Sequence, residues 1–283
     1  MHTHLIAPST MDTLFTQSTE SPLAEIGVFG GSGFYALLDN PTSIRVETPY
    51  GPPSDEIMLG TIAGRKVAFL PRHGSKHHLP PHKINYRANV WAFKQLGVSW
   101  CISPCAAGSL QRHIEPGHFV ICDQYVDRTS ARIDTFYDGP VTTHVSAADP
   151  FSETLRAIAV QSAKKLGIPV HETGTVVVIQ GPRFSTRAES AWFASQGWEV
   201  INMTQYPEVH LVKEMGMASV NISLITDYDA GVDDIPPVSH SAVLEVFNAN
   251  NEKLRNLLGD MIANIPTDPK ASEFHDVLAH ARI

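Results

Sequence analysis

Ala218-Ser219-Val220-Asn221-Ile222-Ser223-Leu224-Ile225-Thr226-Asp227-Tyr228-Asp229 is the stretch on which the fold turns. Ala218 to Ile225 reads as an apolar run within a strand over 217–226, and it delivers the chain to two carboxylates spaced two apart. Side chains alternate across a strand, so Asp227 and Asp229 are expected on one side of its carboxyl end. In α/β proteins ligands bind at such ends. Two acids this close do not both carry unshared charge without a reason. Either they cap the next turn or they grip a group that donates protons. We adopt the second reading.

Working outward, strands and helices alternate. Glu25–Phe29 reads as a buried strand entering Gly30-Gly31-Ser32-Gly33, and 57–62 with 66–70 as a hairpin around Ala63-Gly64-Arg65. Asn85–Leu96 is a predicted helix stopped by Gly97, followed by a strand over 98–103 and another over 119–126. Residues 128–149 are irregular and long enough to suggest a functional loop. Ser152–Leu166 reads as a helix, 174–179 as a strand, and Thr186 with Glu189 as a capping box for a helix to Gln196. A short strand over 199–203, a helix over 208–215, the opening strand and one long helix over 241–262 complete the pattern. This predicts a single α/β domain with a mixed, partly barrel-like β-sheet flanked by helices. At least five apolar strands end in segments rich in Gly, Pro or polar residues, and these ends are expected to converge on one site.

The 283 residues, 43% of them hydrophobic, suffice for one large core. A net charge of −8 argues against nucleic acid as a partner. Three cysteines, Cys101, Cys105 and Cys122, at no framework spacing fit reduced thiols in a cytoplasm. The polar opening residues lack the pattern of a signal peptide, so 1–23 are expected to be a disordered leader and 24–283 the domain. No apolar run approaches the ~20 residues of a membrane span.

Several segments suit an anion. The amides of Gly30–Gly33 and the Ser32 hydroxyl form either a phosphate cradle or a tight turn, and Gly31-x-Gly33-x-x-Ala36 is a weak dinucleotide match. Arg72 offers a planar fork for phosphate oxygens and His73 a second donor. His77, His78 and His82 have no carboxylate among them, and no metal site is expected. Phe184 is either core or a stacking surface for a flat heterocycle. Arg183 either serves the anion or binds its own helix and loop. Glu208 is either a first-turn acid favoured by the helix dipole or a site residue. No nucleophile elbow or phosphate loop of the Gly-x-x-x-x-Gly-Lys type is present, so covalent catalysis by the protein is not indicated. Anion donors beside a carboxylate pair suit attack of bound phosphate on a sugar carbon while a base leaves protonated.

With these motifs in hand, the chain resembles the methylthioadenosine phosphorylases of the trimeric purine nucleoside phosphorylase superfamily. The resemblance rests on Gly30–Gly33, Thr48–Gly51, Arg72–Gly74, Asn85–Asn89, Gly108–Leu110, Phe136–Gly139, Gly181–Ser190, Asn202–Thr204 and Thr226–Asp229, in order along the chain. It implies a nucleoside phosphorylase domain over 24–283, with no cofactor and with inorganic phosphate as co-substrate. The implied reaction is phosphorolysis of 5′-methylthioadenosine to adenine and 5-methylthioribose 1-phosphate by a cytoplasmic homotrimer. Ser32, Arg72, His73, Cys105, Ala106 and Thr204 would bind phosphate. Met203 would lie on the ribose and Phe184 on the purine. Asp227 would protonate N7 and Asp229 accept from the 6-amino group. Ser185 and His240 are the implied specificity positions.

Two residues depart from the pattern. Cys105 stands where the family often has Thr, which leaves the Ala106 amide as the firmer phosphate contact. His240 falls where a small aliphatic residue is usual. Relatives that use ordinary nucleosides bond the 5′-hydroxyl with a His there, so adenosine or a 6-oxopurine nucleoside is the alternative substrate.

Overall fold

The computed structural model describes residues 4–6, 11, 21–30, 37–140, 142–230, 238–279 and 281, with backbone alone at 4–6, 240 and 242. Among them twelve strands form one mixed sheet: β1 (His4–Ile6), β2 (Ile26–Gly30), β3 (Asp39–Val46), β4 (Ile57–Ile62), β5 (Arg65–Pro71), β6 (Trp100–Ser109), β7 (Phe119–Ile121), β8 (Gln124–Arg128), β9 (Val170–His171), β10 (Thr175–Ile179), β11 (Val200–Asn202) and β12 (Ala218–Asp227). The helices are α1 (Tyr86–Gln95), α2 (Glu153–Lys165), α3 (Arg187–Ser195), α4 (Gln205–Glu214), α5 (His240–Ala249) and α6 (Asn251–Asn264).

The sheet runs β1-β3-β4-β5-β2-β6-β11-β10-β8 and forks at β6, which also carries β12. β5, β2, β6 and β12 are parallel, whereas β11 joins β6 antiparallel at Gly108 and Ser109. Period-2 burial separates two apolar layers. Ile26, Val28, Val67, Phe69, Ala218, Val220, Ile222 and Leu224 face α2 and α6, while Phe29, Ala68 and Leu70 pack with α1 and α4. The alternate residues of β12 are Ser219, Asn221 and Ser223, all buried. The strand is therefore not uniformly apolar, and its polar side faces the site.

Local signals set many boundaries. Ala63 and Gly64 adopt the positive φ that a tight hairpin needs. Asn85 and Ser152 cap α1 and α2, and the Thr186/Glu189 capping box is complete. Four expectations are corrected. The strand expected over 98–103 continues to Ser109, because β12 and β11 pair with its second half. The strand over 119–126 is two, β7 and β8. The long C-terminal helix is broken at Asn250, which joins α5 to α6. β1, β3 and β9 were not foreseen; β1 lies within the leader and pairs with Ile44–Val46 of β3.

Candidate active site

Asp227 and Asp229 are brought together, though not by simple alternation. The β12–β6 register slips between Ile225 and Asp227, a bulge that turns the strand end. Asp229 lies beyond the strand at φ 49°, in the left-handed region. Its N–H returns to Asp227 Oδ1 at 2.8 Å, and Thr226 Oγ1 donates to Asp227 Oδ2 at 2.7 Å. Burial raises the pKa of Asp227 above its ordinary value, the Thr226 hydroxyl and Asp229 N–H oppose the rise, and the charge of Asp229 adds to it. Burial, more than the second acid, is thus the main lever.

Asp229 is almost wholly buried, and its Oδ2 has no hydrogen-bond partner among the described residues. Its pKa is raised by burial, against the nearby Ser190 and Ser185 hydroxyls. The Ser185 hydroxyl is itself buried without a partner at hydrogen-bond distance among the described residues. Gly108 makes the close approach possible: a Cβ there would lie 3.0 Å from Asp227 Oδ1 and 3.3 Å from Asp229 Cβ.

Four residues earlier on β6, roughly 13 Å along the strand, lies the second half of the site. The buried Arg72 guanidinium donates to both Glu208 oxygens at 2.9 Å, to Pro104 O at 2.9 Å and to Ser103 Oγ at 2.8 Å. Arg72 is therefore paired, with one Nη1 hydrogen outside these bonds. Glu208, only 1% exposed, is the partner that fixes it. A polar network continues beneath: Ser103 Oγ to Gln205 Oε1, Asn221 Nδ2 to Gln205 Oε1, and Ser223 Oγ to Asn221 Oδ1. The Cys105 thiol is drawn into this network, accepting from Asn202 and Asn221 at 3.3 and 3.4 Å. Its side chain is thus directed inward, while half-buried Ala106 follows it on the strand.

His73 Nδ1 lies 2.8 Å from Leu79 O, so that nitrogen carries the proton. Burial above all, with Arg72 and the stacked His77 ring, lowers its pKa to about 4 against the opposing carbonyl bond. The imidazole is neutral at physiological pH. Thr204 is buried just after β11, and its hydroxyl makes no hydrogen bond among the described residues. Ser32 lies outside the described residues. So does the His240 side chain; the backbone of His240 opens α5, two residues after Val238, whose N–H bonds Asp229 O at 2.9 Å.

Met203 and Phe184 flank the space between the halves. Phe184 is 39% exposed, on the loop after β10. Gly181 opens that loop at φ 62°, and a Cβ there would lie 2.6 Å from Met203 Sδ and 3.2 Å from Pro81 Cγ. Gly181→Ala is expected to cost on the order of 1–2 kcal/mol through its left-handed backbone alone and to displace Met203; urea unfolding checks the first and substrate KM the second. Arg183 pairs with Glu189 through two 2.7 Å bonds and is structural. Phe136, in the long loop expected to be functional, is buried against Tyr50 and Trp91. Among the described residues no group of three His, Cys, Asp or Glu side chains could hold a metal.

Fold and site together define an α/β protein whose strand ends carry a buried guanidinium and imidazole after β5 and a shielded acid pair after β12. Residues 25–263 match the family profile described as the Phosphorylase superfamily, and the chain belongs to that family. The dinucleotide alternative falls with that assignment. The chain is 50% identical to a purine nucleoside phosphorylase of Streptomyces coelicolor over 251 residues, 86% of this chain and 90% of that one. It is 51% identical to an S-methyl-5′-thioadenosine phosphorylase of Thermofilum pendens over 248 residues, 87% and 94% of the two chains. A solved methylthioadenosine phosphorylase of Schistosoma mansoni in complex with adenine superposes with a TM-score of 0.86 at 34% identity, over 92% of this chain and 99% of that one.

Proposed function

We propose that the protein cleaves the N-glycosidic bond of 5′-methylthioadenosine with inorganic phosphate, releasing adenine and 5-methylthioribose 1-phosphate. The observation that carries this reading is Asp229 Oδ2, a buried acceptor with no donor at hydrogen-bond distance among the described residues. An unpaired buried acceptor costs on the order of 1–3 kcal/mol, and the 6-amino group of an adenine is a donor of the right kind. A 6-oxo group would face the same oxygen lone pair to lone pair.

In the proposed reaction a phosphate oxygen attacks C1′ as the C1′–N9 bond breaks. The bonding electron pair passes to the purine, and the proton held by Asp227 goes to N7. Ser32, Arg72, His73, the Ala106 amide and Thr204 hold the phosphate; the inward turn of the Cys105 thiol leaves that residue only its backbone for the task. Met203 lies on the ribose, Phe184 packs on the purine, and Asp229 with Ser185 reads the 6-amino edge. His240 stands near the 5′ end. A homotrimer in the cytoplasm is part of the proposal. It is supported by the superfamily resemblance, and no helix of the described residues is long and apolar enough to cross a membrane.

A second reading, with ordinary nucleosides as substrates, is favoured by His240 and by the Streptomyces relative's name. Comparing kcat/KM for methylthioadenosine, adenosine and inosine separates the two. We expect both 6-amino substrates to exceed inosine by about 10-fold or more, and Asp229→Asn to erase that margin. Inosine cleaved as fast as adenosine by the unaltered protein would contradict the assignment of Asp229.

A further inference from the structure

Arg132, in the irregular segment after β8, has no role in the reaction above, yet its head group reaches four elements. Nε donates to Gln180 Oε1 at 3.1 Å, and Nη2 to the carbonyls of Gln180 and Met203 at 2.9 Å each, with Ile179 O at 3.4 Å. Nη1 donates to Tyr86 Oη at 3.3 Å and to the Tyr206 carbonyl. The guanidinium also lies 5.5 Å over the Tyr86 ring. The Gln180 amide in turn grips Ser130, accepting from its N–H at 3.1 Å and donating to its carbonyl at 2.9 Å.

The carbonyls so gathered are those at the exits of β10 and β11 and that of Tyr206 in the first turn of α4. Backbone acceptors past a strand end have lost their ladder partners and must find other donors. Here a single planar fork supplies them, which a lysine ammonium, with three donors at one point, does not reproduce. The strand-exit carbonyls lead directly into the Gly181–Phe184 loop and into Met203. Arg72 takes its own hydrogen-bond partners, Glu208, Ser103 and Pro104, and meets Arg132 only through α4, which carries both Glu208 and the Tyr206 carbonyl.

We propose that Arg132 is a positioning residue that sets the spacing between Met203 and the Phe184 loop, and so shapes the nucleoside half of the site more than the anion half. The substrate in this inference rests on the phosphorylase reading. The geometry does not.

Arg132→Ala is expected to raise the KM for methylthioadenosine roughly 10- to 100-fold, the scale of a misplacement of about 1 Å. The KM for phosphate should rise markedly less, because Arg132 makes no hydrogen bond to Arg72 or its partners and reaches them only through α4. Dilute guanidinium ion should restore much of the loss, and Arg132→Lys should resemble the alanine variant. Calorimetric binding of adenine provides a readout that needs no turnover, and thermal melting identifies variants that fail to fold. Equal losses for nucleoside and phosphate in a folded variant, or adenine affinity unchanged by Arg132→Ala and by Arg132→Lys, would overturn the inference. Failure of the unaltered protein to bind adenine would instead sink the phosphorylase reading.

Discussion

Replacing Asp227 by Asn is expected to lower kcat by about 10²–10⁴-fold, the usual range for a lost general acid, with the nucleoside KM changed far less. The variant is well suited to isolate the proton. Asn Oδ1 can still accept from the Asp229 N–H, and Thr226 Oγ1 can accept from the new amide while donating to Ala107 O, 3.3 Å away. Geometry is therefore kept and the acid removed. Burial holds the Asp227 pKa above its ordinary value, so the acid form persists to higher pH than in an exposed carboxyl. The active form is the protonated one, and activity should fall as pH rises through that raised value. Asp227→Asn should abolish this limb of the pH profile. The sign for stability agrees: a carboxyl with a raised folded pKa stabilises the fold below its unfolded pKa, and this contribution is lost as pH rises through the folded value. At neutral pH the Asn variant should thus melt no lower than the parent. A nucleoside already alkylated, and so positively charged, at N7 needs no proton, and its cleavage should be the least affected. Steady-state kinetics across pH with the two substrates is the check. An equal loss for both would remove Asp227 from the proton donor's place.

Glu208→Gln carries the largest expected effect on stability. Arg72 and Glu208 have side chains 6% and 2% exposed. Removing one partner of such a pair strands the other charge in a low-dielectric interior, at a cost of about 3–5 kcal/mol. Ser103 would lose its carboxylate acceptor at the same time, since its hydroxyl lies 2.5 Å from Glu208 Oε1. Urea unfolding measures the loss. The double variant Glu208→Leu with Arg72→Met should recover much of it, because the unpaired charge is then gone, while phosphate-dependent turnover stays low. Stability that is unchanged in Glu208→Gln would show that Arg72 does not depend on this carboxylate.

What sequence reveals here follows the range of the interaction. The Ala63-Gly64 hairpin, the Asn85 cap and the Thr186/Glu189 capping box were readable because each closes within a few residues. The acid pair was found for an incomplete reason. Alternation predicted one side of a strand, but Asp227 ends β12, and a bulge plus a left-handed residue return Asp229 to it. One extra residue in a ladder reverses the facing of all that follow, and nothing in Ile225-Thr226-Asp227 announces it. Arg72 was expected to be free for an anion. Its partner Glu208 lies 136 residues away, a separation at which sequence offers two readings of Glu208 and no means of choosing. The inward polar face of β12 does have a sequence signal: Ser219, Asn221 and Ser223 alternate with apolar residues. The Asn250-Asn251 break in the C-terminal helix was visible in the same way. Arg132 had no local signal at all, since its acceptors, the Tyr86 hydroxyl and backbone carbonyls after β10, after β11 and in α4, come from four separate elements.

The most direct test of the account is the dependence of adenine release on phosphate. Purified protein is incubated with 5′-methylthioadenosine, with and without inorganic phosphate, and free adenine and 5-methylthioribose 1-phosphate are quantified together. The account predicts adenine and the sugar phosphate in equal amounts, and negligible release when phosphate is omitted. Adenine released at the same rate without phosphate, accompanied by free methylthioribose, would mean that water is the nucleophile and would contradict it.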